Sequence, residues 1–204
     1  MKHSFFVVED HSLTNLGIRQ ILQNNTDLDC AGFASTEVET FEKLTELDMK
    51  SSLPEVLVLD LFLGEDSGID VLREVRRHFP TVNVVVYSMY ANPGIVSLVL
   101  ESGGKGFVSK AASESELVDA VKEICNGGTY VQKSLREPLH TYSSIYASLT
   151  KIELSVLNKL IDRKDVSRIS EELDIESRAV TSYISRICAK TGCRNAEELV
   201  ARFR

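Results

Sequence analysis

Long apolar runs and paired cysteines are what this sequence most clearly lacks. No apolar stretch reaches the roughly 18 residues that a membrane-spanning helix needs, so we expect no membrane span. The first residues run directly into a strand-like segment without the layout of a signal peptide, and we therefore expect a cytoplasmic protein. The cysteines lack the spacing of a zinc site and are expected to be reduced thiols, at Cys30, Cys125, Cys188 and Cys193.

Acidic and basic side chains are unevenly distributed along the 204 residues. Residues 1–132 carry 10 basic and 20 acidic side chains, whereas residues 149–204 carry 11 basic and 9 acidic ones. The net charge of −7 therefore combines an acidic front part with a mildly basic rear part. This asymmetry indicates two domains that have different partners.

Strand and helix patterns alternate through the front part. Five strand-like segments, each followed by a helical pattern, occupy residues 4–126. The third of them, Val56–Leu59, is an uninterrupted apolar run, which is typical of a strand buried on both faces. Strands that alternate with helices predict an α/β domain with a doubly wound, five-stranded parallel sheet. We assign this flavodoxin-like domain to residues 1–127.

Only helical patterns occur in the rear part. Four segments with one apolar face follow Leu149, and the second and third are joined by the short connection Asp174–Glu176. This predicts an all-α, four-helix domain over residues 148–204 that contains a helix-turn-helix. Residues 128–147 show no clear period and are predicted to be a linker, with a short helix near Lys133–Arg136.

Polar or reactive side chains follow four of the predicted strands. Glu9 and Asp10 follow the first strand, Asp60 the third, Ser88 the fourth and Lys110 the fifth. We expect them to lie close together, because the carboxyl ends of parallel strands meet at one edge of a sheet. Three carboxylates suit a hard divalent cation such as Mg²⁺, and Lys110 suits a phosphate oxygen. Asp60 could then act as a nucleophile toward a phosphoryl donor.

Each of these residues also has an ordinary structural explanation. An aspartate after a strand is usually a turn residue or a helix cap, and a single lysine is usually a solvated surface residue. Their joint occurrence at successive strand ends argues against that explanation. With this set of side chains, residues 4–126 resemble the receiver domain of a bacterial two-component response regulator.

The resemblance implies a role for each side chain of the set, with Asp60 as the phosphoacceptor. A sensor histidine kinase would be the phosphoryl donor, and Mg²⁺ would be the cofactor. The remaining roles implied are metal binding by Glu9, Asp10, Asp60 and the backbone carbonyl of Phe62, phosphate binding by Lys110, and switching by Ser88 and Phe107.

Residues 149–204 resemble a LuxR-type helix-turn-helix, from Leu149-Thr150 through Gly192 to Glu198-Leu199-Val200. The two halves together resemble the NarL/FixJ arrangement. This implies a phosphorylation-controlled regulator of transcription that binds double-stranded DNA and forms a homodimer on activation. The outward positions of the third helix that we expect to contact DNA are Arg178, Thr181, Ser182, Ser185, Arg186 and Lys190.

Other side chains of the rear domain bear on DNA affinity. Lys151 and Arg168 could add contacts to the DNA backbone, whereas Glu171, Glu172 and Glu176 would repel DNA if they faced it. We therefore expect weak binding by a monomer and a need for dimers on paired half-sites. The alternative is that the polar positions of the third helix are simply a solvated face.

Departures from the family pattern leave alternatives open. Leu63-Gly64-Glu65 replaces the usual Met-Pro-Gly, which allows a second hypothesis, a regulator of the same architecture that acts independently of phosphorylation. Thr181 and Tyr183 stand where a lysine and a histidine are common in the family. A third hypothesis is a phosphatase that uses an aspartyl-phosphate. Phe62 disfavours it by replacing the second acid of such enzymes, so we expect no enzyme.

Overall fold

The computed structural model describes residues 3–64, 66–89, 91–162 and 164–203, without the side chains of residues 138, 141–147 and 202. The chain divides into two compact units; apart from Asn92–Gly94, which is assigned to the second unit, the boundary falls between Arg136 and Glu137. Among the described helices, none combines the length and the apolar character that crossing a membrane requires.

The first unit is built on a parallel sheet. Its described strands are β1 (Ser4–Val8), β2 (Asp29–Ala34), β3 (Val56–Leu59), β4 (Phe62–Leu63), β5 (Asp66–Ser67), β6 (Asn83–Ser88), β7 (Gly106–Ser109) and β8 (Tyr130–Val131). Six of them form one sheet in the order β2-β1-β3-β6-β7-β8, and every neighbouring pair is parallel. The other two, β4 and β5, pair as a separate antiparallel hairpin.

Helices connect the strands of the sheet and form the second unit. Those of the first unit and of the connection are α1 (Ser12–Asn25), α2 (Glu37–Met49), α3 (Gly68–His78), α4 (Pro93–Glu101), α5 (Glu114–Cys125) and α6 (Lys133–Ser148). Those that follow are α7 (Lys151–Ile161), α8 (Val166–Leu173), α9 (Ser177–Thr191) and α10 (Ala196–Phe203).

The strand order explains why the central strands are so apolar. The order reverses between β1 and β3, and right-handed crossovers then place helices on both faces of the sheet. All four residues of β3 are accordingly buried, as are the last four residues of β1. The prediction of a doubly wound parallel sheet is confirmed.

The predicted number of strands is corrected from five to six. The additional strand, β8, pairs with β7 through Gly106–Tyr130 and Phe107–Val131. Its backbone is held at both ends, since the amide of Tyr130 donates to the carbonyl of Lys105 and the amide of Gln132 donates to that of Phe107 (2.9 and 3.0 Å). A strand of two residues is too short to show a recognisable alternation in the sequence.

The segment between the domains is also more regular than predicted. A short helix was expected near residues 133–136, whereas α6 continues for 16 residues to Ser148. The boundary between the two compact units falls inside this helix. The assignment of residues 128–147 as a linker, like the other domain boundaries, stays a prediction.

The second unit is helical over all its described elements, as predicted. It has a core of its own, in which Leu157, Ile169, Ile187 and Leu199 are fully buried. The turn between α8 and α9 passes through Asp174 in the left-handed conformation (φ 51°). This tight connection lets α8 and α9 pack on each other as a helix-turn-helix.

Candidate functional site

The carboxyl edge of the sheet brings the predicted strand-end residues together. Val8 of β1 lies in register with Leu59 of β3, so Glu9 and Asp60 follow at the same level of the sheet. This is the point at which the strand order reverses, where open α/β sheets have their ligand crevice. On the next two strands of the sheet, Ser88 of β6 pairs with Ser109 of β7, and Ser109 immediately precedes Lys110.

Lys110 joins two of the carboxylates directly. Its Nζ lies 2.6 Å from Glu9 Oε2 and 2.7 Å from Asp60 Oδ2. The exposed fraction of the side chain is 11% for Lys110, 0% for Glu9 and 6% for Asp60. Burial by itself would lower the pKa of Lys110, but the hydrogen bonds to Asp60 and Glu9 outweigh it and raise that pKa. Lys110 is therefore held in its charged form against the acidic pair.

Asp60 is fixed by the backbone around it. Its Oδ1 accepts a hydrogen bond from the amide of Leu61 (2.7 Å), and its own amide donates to the carbonyl of Val8 (3.0 Å). Gly68 passes so close that a Cβ there would lie 2.4 Å from the carbonyl oxygen of Asp60. Only glycine fits at this crossing, which explains why Gly68 is retained although the intervening loop departs from the family pattern.

A hairpin fills the place of the usual Met-Pro-Gly. Leu63 of β4 pairs with Asp66 of β5, while Glu65 lies outside the described residues. The carboxylate of Asp66 accepts a hydrogen bond from the amide of Glu37 at the start of α2 (2.8 Å). The charge of Asp66 is thus engaged with a helix amino terminus, where the macrodipole stabilises an anion.

Glu9, Asp10 and His11 form a cluster of possible metal ligands. One ligand atom from each lies within 4.8 Å of the others. His11 Nδ1 is 2.8 Å from Asp10 Oδ1 and 3.3 Å from Glu9 Oε1, and the hydrogen bond to Asp10 raises the pKa of His11. His11 was missed by the sequence analysis, although its position directly after Glu9-Asp10 was a usable signal. Of the other predicted ligands, Asp60 faces Lys110, and Phe62 is half exposed on the hairpin.

The two predicted switch residues are both buried, and they lie on neighbouring strands of the sheet. Ser88 is fully buried, and its Oγ has no hydrogen-bond partner among the described residues. Phe107, on the neighbouring strand, is also fully buried. A buried hydroxyl without a partner carries an unrecovered desolvation cost, so it is poised to bond to a group that enters the site.

All six predicted DNA-contacting residues lie on the outer side of α9, although Lys190 also bonds to other parts of the second unit. Residue by residue, all six positions of the predicted set are exposed. The hydroxyls of Thr181 and Ser185 bond back to helix carbonyls, those of Ser177 and Thr181 respectively (both 3.1 Å). The Cζ atom of Arg186 lies over the ring of Tyr183, 5.7 Å from its centroid, so the guanidinium stays near the helix surface.

Lys190 is engaged within the second unit. Its Nζ bonds to Glu153 Oε2 (2.7 Å) and to the carbonyl of Ser148 (2.9 Å). Glu153 is only 3% exposed and also closes a capping box with Thr150 at the start of α7. The hydrogen bond from Lys190, followed by that from the Thr150 amide, lowers the pKa of Glu153. Lys190 therefore ties α9 to α7, and its contact with DNA stays a prediction.

Two family models match the chain. The one described as "Response regulator receiver domain" matches residues 5–122, and the one described as "Bacterial regulatory proteins, luxR family" matches residues 147–203. The first spans more than half of the chain, so the protein belongs to the response regulators that carry a receiver domain. It combines that domain with a LuxR-family DNA-binding region, which confirms the resemblance and the expected class, a transcription regulator and not an enzyme.

Individual relatives match over nearly their whole length. The chain is 25% identical to the "Response regulator UvrY" of Escherichia coli K12 over 201 residues, 95% of this chain and 89% of that protein. It is 25% identical to the "Transcriptional regulatory protein DesR" of Bacillus subtilis 168 over 199 residues, 98% of this chain and 95% of the relative.

Solved structures share the fold. The chain resembles RcsB from Salmonella enterica serovar Typhimurium, bound to a promoter in the presence of the phosphomimetic BeF₃⁻, with a TM-score of 0.75 and 24% identity. The match covers 99% of this chain and 98% of the other. At this level of identity, the similarity shows the shared fold.

Proposed function

We propose that Asp60 is the phosphoacceptor of this response regulator, that a sensor histidine kinase supplies the phosphoryl group, and that phosphorylation controls dimerisation and sequence-specific DNA binding. The single observation that carries the proposal is the buried contact of Lys110 with both Glu9 and Asp60 at the reversal point of the sheet. A structural ion pair would need one acid, whereas this lysine faces two, with Asp10 beside them.

The surplus of carboxylates fits a magnesium ion. Oxygen ligands from few carboxylates, completed by water and phosphate, are what Mg²⁺ prefers. Glu9, Asp10 and Asp60 would hold it together with the backbone carbonyl of Phe62. When bound, the ion supplies positive charge to the oxygens of the phosphoryl group.

In the transfer step, a carboxylate oxygen of Asp60 forms a bond to phosphorus while the bond from phosphorus to the donor's imidazole nitrogen breaks. Lys110 neutralises the oxygens of the transferring group, which is the main requirement of phosphoryl transfer. The amide of Leu61 holds the other carboxylate oxygen and so orients the nucleophile. The hydrogen bond from Lys110 to Asp60 must weaken as the phosphoryl group arrives.

The switch would use the unpartnered hydroxyl of Ser88. A phosphoryl group on Asp60 carries about 1.5 to 2 negative charges in place of the single charge of the carboxylate, and it offers strong acceptor oxygens to which that hydroxyl can donate. Phe107 would then repack on β7 as Ser88 moves. Because β8 is hydrogen-bonded to the backbone of Phe107, a change at Phe107 reaches the strand that precedes α6.

DNA would be bound by the second unit. The LuxR-family match supports this, and the solved relatives include RcsB dimers bound to DNA. We propose homodimerisation on activation by analogy with them, and action in the cytoplasm, where bacterial DNA is transcribed. The α9 residues proposed to contact DNA are Arg178, Thr181, Ser182, Ser185, Arg186 and Lys190.

Phosphoryl uptake from acetyl phosphate tests the proposal. Wild type, incubated with Mg²⁺, should gain a slower band on a phosphate-affinity gel, and Asp60→Asn should not. Asp70→Asn is the matched control, since Asp70 is an exposed residue of α3 and its replacement should leave uptake unchanged. Uptake that persists in Asp60→Asn would refute the assignment of the phosphoacceptor.

The same gel bears on the second candidate, a regulator that acts independently of phosphorylation. The observation that favours it is the β4–β5 hairpin, which replaces the usual loop beside Asp60. No uptake in wild type, together with DNA binding that is unaffected by acetyl phosphate, would select this alternative.

A further inference from the structure

Glu172 is the centre of an ion cluster in the second unit. Its Oε2 lies 2.5 Å from Lys159 Nζ and 2.6 Å from Lys164 Nζ, and its Oε1 lies 3.3 Å from Arg168 Nε. Lys164 also reaches Oε1 at 2.8 Å, so both carboxylate oxygens are bonded. Three cations from α7, α8 and the connection between them therefore converge on one oxyanion.

This cluster differs from the ion pairs that join neighbouring turns of a single helix. Arg73–Asp70, for example, is an exposed local pair within α3, of a kind that contributes little. Lys159 and Lys164, in contrast, come from outside α8 to reach Glu172. The hydrogen bonds from Lys159 and Lys164 lower the pKa of Glu172 to about 2, so the carboxylate stays ionised at any physiological pH.

The geometry is that of a phosphate site. Lysines are compact charges that suit single phosphate oxygens, and arginine adds a fork of N–H donors. Three cations face one central carboxylate here, and a second acid, Glu171, touches only the outer side of Arg168 at 3.6 Å. The cluster thus keeps positive charge that Glu172 does not neutralise.

The position of the cluster matches the docking of a helix-turn-helix. In that motif the second helix enters the major groove while the first crosses the sugar-phosphate backbone. Here α8 is the first helix, with Arg168 in its first turn and Lys164 just before its start. Cations at this end of α8 are therefore placed where backbone phosphates are expected.

We propose that Lys159, Lys164 and Arg168 form a binding site for a DNA backbone phosphate, which the carboxylate of Glu172 occupies in the free protein. This inference rests on the proposed DNA binding by α8 and α9. Glu172 competes with the phosphate for the same donors and so lowers the affinity for every DNA sequence alike. Glu172, expected from the sequence to act by repulsion, instead acts by occupying the cations.

Glu172→Gln is the decisive variant, with Glu171→Gln as its matched control. Both remove one negative charge from the same turn of α8, but only the first releases the lysines. Binding of the full chain to a mixed-sequence duplex of about 30 base pairs is measured by fluorescence anisotropy over a series of salt concentrations. We expect Glu172→Gln to bind roughly threefold to tenfold more tightly, with a salt slope steeper by about 1.

Lys159→Gln provides the reverse test. It should weaken binding and make the salt slope shallower by about 1, whereas Glu171→Gln should change affinity by less than about twofold. Circular dichroism spectra establish that each variant is folded.

The outcomes separate the inference from the proposed function. Equal affinities of the two glutamine variants, or an unchanged slope in Lys159→Gln, would overturn the phosphate site while leaving DNA binding intact. If wild type binds no duplex even at low salt, DNA binding itself fails, and the phosphate site fails with it.

Discussion

Two lysines of this protein, one in each unit, bind a buried glutamate, yet their surroundings differ. Lys110 faces Glu9 and also Asp60, with Asp10 nearby, so carboxylates outnumber the cation. Glu153 is the one carboxylate that Lys190 contacts among the described residues, and that carboxylate also accepts from the amide and hydroxyl of Thr150.

The difference separates a site that can accept a ligand from one that is complete. Around Lys190, charges and hydrogen bonds balance, and removing Lys190 would leave the buried carboxylate of Glu153 without its cation. Around Lys110 three carboxylates exceed the positive charge even when His11 is protonated beside them, and the buried hydroxyl of Ser88 has no hydrogen-bond partner among the described residues. We interpret the balanced cluster as structural and the unbalanced one as functional.

The largest expected effect is that of breaking the balanced cluster. Glu153→Ala should lower the free energy of unfolding of the second unit by about 2 kcal/mol, since it opens the capping box of α7, leaves the amide of Thr150 without its acceptor and removes the partner of Lys190. Hydrogen exchange of α7 and α9 in the full chain, followed by mass spectrometry, reports this unit separately. Glu171→Ala, an exposed acid of α8, is the control and should cost less than about 0.5 kcal/mol.

Acid titration checks the same pair. The pKa of Glu153 is lower in the folded state than in the unfolded chain, so its stabilisation is complete above about pH 4.3 and is lost as the pH falls through the folded value. Glu153→Gln should therefore flatten the pH dependence of the second unit in this acid range. If the second unit of that variant lost stability at low pH just as wild type does, Glu153 would not be the group responsible.

A smaller effect is expected when the unbalanced cluster loses one acid. Asp60→Asn leaves Lys110 paired with Glu9, so the first unit should lose no more than about 1 kcal/mol, even though the residue is as buried as Glu153. Mg²⁺ should raise the unfolding midpoint of wild type, because a ligand of the folded state stabilises it, and Asp10→Asn should abolish this rise. A destabilisation by Asp60→Asn as large as that of Glu153→Ala would contradict the comparison.

Much of the fold followed from local patterns in the sequence. The apolar run Val56–Leu59 could only be a strand buried on both faces, and polar residues at successive strand ends had to meet at one edge. This is why Glu9, Asp60 and Lys110 were found without a structure. The four helices of the second unit followed in the same way from their apolar stripes.

Other features depend on contacts that no local pattern encodes. The strand β8 forms because the backbone of residues 130–132 completes the open edge of β7. A strand of two residues has no sequence pattern from which this pairing could be predicted. Lys190 was assigned to the outer face of α9 by helical period, but its long side chain reaches Glu153, 37 residues earlier. Likewise, the two lysine partners of Glu172 lie outside α8, so the sequence alone indicated only repulsion.

The smallest expected effect comes from the hydroxyl that lacks a partner. Ser88→Ala removes a buried group that forms no hydrogen bond within the described residues, so the free energy of unfolding of the first unit should stay within about 0.5 kcal/mol of wild type or rise slightly. Ser109→Ala is the matched control on the adjacent strand. Its Oγ accepts from the amide of Ala111 (3.2 Å), so its loss should cost about 1 kcal/mol, measured by urea unfolding. If Ser88→Ala proved the more costly of the two, the hydroxyl of Ser88 would already be bonded in the resting protein, and the first unit would not be poised for a ligand as proposed.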